Sequence, residues 1–145
     1  MVDITRIDKI TRKDKAANTA PYYSDFYNNL NVNPFSKKLV RYTNEEAVTR
    51  SIKNLILTNK NERLYKPELG SSVSALLFEP MDSITADRIR DAIANTIKDN
   101  EPRARVNTIE VIPNELRNAY DVYIYYEVIN STKPLTVTLT LYRVR

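Results

Sequence analysis

The feature that most constrains this fold is a change in hydrophobic periodicity at Pro102. Before Pro102, apolar residues recur at the 3.6-residue spacing of helices that bury one face. After it, apolar and polar residues alternate with the two-residue period of strands. Because proline disfavours helical geometry in the residue before it, the last helix must end near Asn100. Helices first and strands last predict an α+β fold with an antiparallel sheet.

Three helices are predicted ahead of Pro102. The first runs from about residue 44 to 58, behind a capping-box spacing in which Thr43 accepts from the third helical amide and Glu46 reaches back. The candidate caps of the second, short helix and of the third are Ser71 or Ser72 and Asp82 or Ser83, respectively. The apolar residues assigned to the three helices are Val48, Ile52, Leu55 and Ile56, then Val73, Leu76, Leu77 and Phe78, then Ile84, Ile89, Ile93 and Ile97.

Three strands follow, at residues 104–112, 120–129 and 135–145. In the second strand, Tyr120, Val122 and Ile124 face one way while Asp121 and Tyr123 face the other, which is typical of a sheet with one buried face. The third strand alternates leucine or valine with threonine. The prediction is a C-terminal antiparallel three-stranded meander.

The chain of 145 residues is long enough for one domain. Residues 1–33 lack a sustained apolar period and are predicted to form an N-terminal arm, leaving residues 34–145 as a single α+β domain. The aromatic residues of the arm are Tyr22, Tyr23, Phe26 and Tyr27. An arm with aromatic side chains but no core of its own is expected to dock on a partner or on its own domain.

The amino-acid composition limits the kinds of catalytic and binding site that the chain can form. The chain has no cysteine and no histidine, so it lacks thiolate sites, the commonest general base and the commonest metal ligand. We therefore expect no cofactor, no metal and no catalytic residue. The net charge of +4 is diffuse and does not form the dense basic stripe of a nucleic-acid-binding protein. No apolar run approaches the ~18 residues of a membrane span.

One ordered set of motifs is more specific than any of these features. Ser51-Ile52-Lys53-Asn54-Leu55 lies on the first helix, and Thr58 and Arg63 follow it. Pro67-Glu68-Leu69-Gly70, Leu76-Leu77-Phe78-Glu79 and Glu101-Pro102-Arg103 come next. In this order the motifs resemble the small baseplate wedge family of contractile phage tails. That family was once called lysozyme-like and has counterparts in tail-like bacteriocins and type VI secretion baseplates.

The sequence departs from the family pattern at two places. Leu69 stands where an aromatic residue often precedes the loop glycine, and Asn61 and Glu62 stand where a glycine is common before the arginine. The N-terminal arm is also long, so no role for it follows from the resemblance.

The resemblance implies a non-enzymatic structural subunit of the virion tail baseplate, assembled in the host cytoplasm. Its implied partners are other baseplate wedge proteins and the tail sheath protein, with the tail tube as a further candidate, and it implies no nucleic acid and no membrane. The family's sheath-initiating role would use β-augmentation, in which an edge strand accepts a strand of the next subunit. The predicted pairing strand carries Thr136, Thr138, Thr140 and Tyr142. The alternative is an ordinary hairpin whose edges are covered within the chain.

The motif residues have open roles at this stage. They are Glu101, Pro102, Arg103, Arg63, Pro67, Gly70, Phe78 and Glu79. Glu101 and Arg103 project from a corner stiffened by Pro102, so they are an internal brace, a contact with the wedge scaffold, or both. Arg63, Pro67 and Gly70 are expected to shape a loop rather than bind a ligand.

Two other functions compete with the structural one. A peptidoglycan hydrolase would need two carboxylates ~5–9.5 Å apart, one of them with a raised pKa, and the candidates are Glu79 and Glu101, with Asp82 third. A nucleic-acid-binding module would rest on the basic arm and the ten tyrosines. The tyrosines lack the interleaved Arg and Lys of a base-stacking surface.

Overall fold

The computed structural model describes residues 23–27, 29–129, 131 and 133–143. Tyr22 of the aromatic cluster, most of the basic arm and the last two residues of the predicted third strand lie outside the described residues. The described part of the chain contains no helix long and apolar enough to cross a membrane.

The first element is a hairpin that the sequence did not predict. Strand β1 (Ser24–Phe26) pairs antiparallel with β2 (Arg41–Thr43), and Val32 forms a bridge with Leu39 farther out. Within the hairpin, the Tyr27 and Tyr42 rings stack 3.8 Å apart. The hairpin contacts the domain through cation–π geometry, since the Arg50 guanidinium carbon lies 5.3 Å from the centre of the Tyr42 ring. The predicted division between arm and domain at residue 33 falls inside this hairpin and stays a prediction.

The three predicted helices are confirmed. They are α1 (Asn44–Leu57), α2 (Val73–Leu76) and α3 (Ser83–Asn100). The stripe Val48, Ile52, Leu55 and Ile56 of α1 is buried, and so are Ile89, Ile93 and Ile97 of α3.

Two apolar residues assigned to these helices are exposed instead. Ile84 lies five residues before Ile89, which rotates it away from the buried face of α3. Phe78 lies beyond the end of α2, in the turn toward Pro80, and its side chain is exposed.

The predicted capping box at Thr43 is wrong, because the Thr43 side chain makes no capping hydrogen bond. Asn44, the first residue of α1, has a φ of +47°, so the chain leaves β2 through a left-handed residue. The Asn44 N–H instead donates to the Tyr23 carbonyl, 2.8 Å away. At α3, one of the two proposed caps is confirmed, since Asp82 accepts a 2.6 Å hydrogen bond from the Thr85 N–H.

The three-stranded meander is also confirmed, with β3 (Ala104–Asn114), β4 (Ala119–Val128) and β5 (Pro134–Tyr142) in the order β3–β4–β5. All pairs are antiparallel, and the register of β3 against β4 shifts between Val106 and Thr108. A 3-10 turn, Glu115–Arg117, connects β3 to β4 and ends at Asn118 in the left-handed conformation. The chain is therefore an α+β structure, with the helices covering one face of the sheet.

Alternation along β4 decides which face of the sheet is buried. The buried residues are Tyr120, Val122, Ile124, Tyr126 and Val128, and they pack with the stripes of α1 and α3 into one core. The residues between them, Asp121, Tyr123, Tyr125 and Glu127, are half-buried or exposed on the other face. In the order β3–β4–β5, the free edges of the sheet lie on β3 and β5.

Candidate protein-interaction sites

The Glu101-Pro102-Arg103 corner joins the end of α3 to the start of β3. The Arg103 Nε and Nη2 atoms donate to the two carboxylate oxygens of Glu101 at 2.6 and 2.7 Å, forming a bidentate pair. Only 2% of the Glu101 side chain is exposed, against 36% for Arg103. Paired charges of this kind tolerate burial, which an isolated carboxylate would not.

Three elements meet at Glu101. Its N–H donates to the Ile97 carbonyl at 2.8 Å, and the Arg103 carbonyl accepts from the Ile129 N–H at 2.9 Å. Burial raises the pKa of Glu101, but hydrogen bonds from Arg103 and from Ser51 of α1 lower it more, so its pKa lies below the ordinary 4.5. The hydrogen bond to Glu101 is the largest influence on Arg103 and raises its pKa. The corner thus ties α1, α3 and the sheet together.

The exposed side of Arg103 contacts the N-terminal hairpin. Its guanidinium carbon lies 5.3 Å from the centre of the Tyr23 ring, a cation–π geometry. Pro102 is exposed beside it, and a cavity of about 600 Å³ between α3 and β3 includes Glu101 and Pro102 in its lining. The corner is therefore both an internal junction and part of an open surface.

Gly70 closes the loop that follows α1. It has a φ of +125°, and a Cβ atom there would lie 2.6 Å from the Thr58 carbonyl oxygen, closer than real contacts allow. The Ser71 N–H donates to that same oxygen at 2.8 Å, and the Ser71 hydroxyl donates to the Ile56 carbonyl at 2.7 Å. The glycine is needed because the two ends of the loop approach each other this closely.

The remaining loop motifs are on the surface. The Pro67 carbonyl accepts from the Asn61 N–H at 2.8 Å, while the Arg63 side chain is exposed and forms no ion pair with any described residue. Between them, the side chains of Leu64 and Tyr65 are 93% and 96% exposed. Sequence reasoning missed these two residues because nothing in their spacing distinguishes an exposed loop tip from a buried one.

Glu79 lies at the opposite end of α3 from the corner. Its carboxylate forms an ion pair with Arg88 at 2.8 Å, and its carbonyl accepts from Arg143 Nη2 at 2.9 Å. Glu79 therefore links the turn before α3 to the end of β5, with exposed Phe78 beside it.

Glu79 and Glu101 do not have the carboxylate separation of a glycoside hydrolase. Glu79 precedes α3 and Glu101 follows it, and a helix of 18 residues separates them by roughly 27 Å. Hydrogen bonds from Thr85 lower the pKa of Asp82, and the pKa of Glu101 is lowered as well, whereas a general acid needs a raised pKa. Among the described residues, no group of three carboxylates could hold a metal ion.

The free edge of β5 can be assigned residue by residue. The Arg143 N–H donates to the Asn118 carbonyl at 3.0 Å, immediately beyond the Ala119–Tyr142 pair of the β4–β5 ladder. In an antiparallel ladder, hydrogen-bonded pairs alternate with pairs whose backbone groups point away from the partner strand. Every second residue back along β5 from Arg143 has the same orientation, so the odd-numbered residues of β5 form the backbone hydrogen bonds to β4. The backbone groups that point to the free edge are those of Thr136, Thr138, Thr140 and Tyr142.

The free edge of β3 differs. By the same alternation, Ile109, Val111 and Pro113 direct their backbone groups away from β4. Pro113 has no N–H to donate, and the irregularity at Asn107 interrupts the repeat. Bulges and prolines are devices that prevent pairing at sheet edges. Within the described residues β5 pairs only with β4, and its edge has neither device after Pro134.

The fold is shared with chains of known structure at low sequence identity. A chain from Geobacter sulfurreducens called a tail lysozyme aligns with a TM-score of 0.68 and 20% identity, over 73% of this chain and 96% of that one. A chain of the anti-feeding prophage baseplate has a TM-score of 0.59 and 17% identity, with 83% and 85% covered. A chain of the pyocin R2 baseplate has a TM-score of 0.54 and 16% identity, with 68% and 96% covered.

These likenesses show a shared fold, and two of the chains come from baseplates. The sequence comparisons show the family. The family model described as baseplate wedge protein gp25 matches residues 43–133. Baseplate wedge protein gp25 of Enterobacteria phage T4 is 31% identical over 107 residues, covering 74% of this chain and 76% of that protein. The chain belongs to the gp25 family of baseplate wedge proteins. The matched region includes the corner and the loop, and it ends immediately before β5.

Proposed function

We propose that this chain is a non-enzymatic baseplate subunit that docks on the wedge scaffold and initiates polymerisation of the tail sheath. Initiation occurs by β-augmentation, in which a strand of a sheath subunit pairs with the free edge of β5. Its partners are other wedge proteins and the sheath protein, and it reaches the virion after assembly in the host cytoplasm. The tail tube is a further candidate partner.

The observation that carries this proposal is the difference between the two edges of the sheet. The β5 edge offers the N–H and C=O groups of four residues, Thr136 to Tyr142, without interruption. The β3 edge is broken by a register shift and by Pro113. An unprotected edge invites pairing, so a subunit with one open edge accepts a strand on one side only.

The side chains of β5 fit the same role. Its inward residues, Val137 and Leu141, are anchored in the core, so pairing at the edge does not require the strand to move. The threonines on the outer face have high strand propensity and leave a flat surface beside the edge.

Docking on the scaffold is assigned to the Glu101-Pro102-Arg103 corner and to the N-terminal hairpin. The corner borders an open cavity and presents Pro102 to solvent. The hairpin exposes apolar side chains beside Lys37, Lys38 and Arg41. Those exposed residues are Phe26, Leu30, Val32, Phe35 and Leu39.

The direct test of sheath initiation is Thr138→Pro. Proline removes an N–H that points to the free edge and leaves the β4–β5 hydrogen bonds in place. The folded variant should enter baseplates but leave bare tubes or a disordered first sheath ring in negative-stain images. Thr138→Val, which keeps the N–H, is the matched control and should give normal sheaths.

Thr140→Pro repeats the test two residues along the same edge. Leu139→Pro, whose N–H points to β4, should instead unfold the sheet. Mass spectrometry confirms that each variant is present in the baseplate. Normal sheaths on baseplates that contain Thr138→Pro or Thr140→Pro would show that initiation uses another surface.

A further inference from the structure

We propose that the loop of residues 59–69 is a preformed docking knob whose tip, Leu64 and Tyr65, inserts into an apolar pocket with a carboxylate rim on a neighbouring wedge subunit. This inference rests on membership of the baseplate wedge family and not on strand pairing at β5. It concerns a surface distinct from both the corner and the sheet edge.

The tip of the loop is exposed. The Leu64 and Tyr65 side chains are 93% and 96% exposed, and they are adjacent in the chain. Single exposed apolar residues are common on protein surfaces. Two large neighbouring side chains that are almost entirely in water form a projecting apolar tip that no described residue covers.

The loop is also held in one conformation. The base of the loop is closed by the parallel bridge between Asn59 and Ser71 and by the close backbone approach at Gly70. Nearer the tip, the Asn61 N–H donates to the Pro67 carbonyl at 2.8 Å, and the Asn59 N–H donates to Glu62 Oε2 at 2.8 Å. A loop held in one conformation loses little entropy on binding, which favours its use as a binding element.

The loop carries positively charged side chains around the tip. Lys60, Arg63 and Lys66 are exposed, and none of them forms an ion pair with a described residue. The loop has two acidic side chains: Glu62 accepts from the loop backbone, and Glu68 is exposed on the C-terminal side of the tip. Tyrosine and arginine are enriched among the residues that dominate interface energies. The basic side chains around the tip favour a pocket rimmed by Asp or Glu.

The experiment uses the full chain in assembled particles. A photo-crosslinking amino acid at position 65 should give an adduct with a different wedge subunit, at a peptide that contains Asp or Glu. The same probe at position 116 is the control, because Leu116 is 101% exposed but lies at the other connection, between β3 and β4. An adduct from position 65 to a second copy of this chain, to the sheath, or to nothing would overturn the proposal.

A second experiment measures how substitutions at the tip affect incorporation into baseplates. The double variant Leu64→Ser with Tyr65→Ser should keep the wild-type melting temperature but enter baseplates at least fivefold less often, as measured by mass spectrometry. Arg63→Glu, which leaves the loop backbone unchanged, should also reduce incorporation, and it decides the matter if the double variant does not fold. Leu116→Ser should incorporate normally. A loss smaller than fivefold for a folded double variant would overturn the proposal.

Failure of this proposal can be distinguished from failure of the proposed strand pairing at β5. Thr138→Pro should enter baseplates normally and fail at the sheath, whereas the tip variants should fail earlier, at incorporation.

Discussion

The Glu101 side chain is buried, and its carboxylate is held by the half-buried Arg103. A second Arg–Glu pair of the chain, Arg88 with Glu79, is solvent-exposed, with side chains 58% and 37% accessible. Exposed pairs contribute little because water screens them, while removing one partner of a buried pair leaves an uncompensated charge. The two pairs therefore form a matched comparison within one molecule.

We expect Arg103→Ala to lower the free energy of unfolding by about 2 kcal/mol, the cost of removing a charged hydrogen-bond partner. Arg88→Ala, the control, should change it by less than about 1 kcal/mol. Urea denaturation of both variants measures the difference. Equal effects of the two substitutions would mean that the corner does not brace the fold.

The lowered pKa of Glu101 gives a signed pH dependence. A carboxylate whose pKa is lower in the folded state stabilises the fold above its unfolded pKa, and this contribution is lost as the pH falls through the folded pKa. Glu101→Gln should therefore be less stable than the wild type at neutral pH, and the gap should narrow as the pH falls below the ordinary value of 4.5. A gap that stays constant down to pH ~3 would contradict the pairing.

Gly70 is the only glycine in the chain, and its position is sterically determined. Gly70→Ala should destabilise the fold by about 2 kcal/mol or more, because the Cβ atom meets backbone and the φ is positive. Ser72→Ala, at an exposed neighbour, is the control in thermal unfolding. Unchanged stability of Gly70→Ala would show that the loop base can relax.

Among the elements, the N-terminal hairpin depends most on a few contacts. Tyr23 lies over Arg103 and accepts from Asn44 through its carbonyl. Tyr23→Ala should loosen β1 and β2, so their amides should exchange with deuterium faster while those of β4 remain protected. Tyr65→Ala, at the exposed loop tip, should leave both rates unchanged. Equal protection of the hairpin in Tyr23→Ala would place its anchor elsewhere.

The helices and the sheet could be predicted because their periods are strong and Pro102 marks the boundary between them. The hairpin could not, because its strands are three residues long and its apolar side chains remain exposed, so no period develops. The cap at Thr43 failed for a related reason, since the preceding strand and the left-handed Asn44 set the start of α1. Local patterns do not report such contacts between distant segments.

The candidate sites also divide into features that the sequence could predict and features that required the fold. Gly70 could be assigned to a tight backbone position because glycine is rare here and its use is informative. From the sequence, an internal brace at the corner is one of two alternatives, and only the fold shows that Glu101 pairs with Arg103 and has Ser51 and Tyr23 beside the pair. The distance between Glu79 and Glu101 required the intact helix α3 between them.

For the molecule as a whole, helix α3 keeps Glu79 and Glu101 too far apart for a paired-carboxylate hydrolase. Purified protein should not clear peptidoglycan above a buffer control, and Glu79→Gln and Glu101→Gln should leave any trace signal unchanged. A turbidity assay with an active lysozyme as positive control measures this. Turnover that disappears in either variant would overturn the non-enzymatic proposal.

The proposed function depends most on the open edge of β5, which a cryo-EM map of the assembled baseplate with its first sheath ring would test directly. The map should show a strand of a sheath subunit beside β5, hydrogen-bonded to the backbone groups of Thr136, Thr138, Thr140 and Tyr142. It should show the edge of β3 without an added strand. A β5 edge left in solvent, or covered by another baseplate protein while the sheath begins elsewhere, would contradict the proposed function.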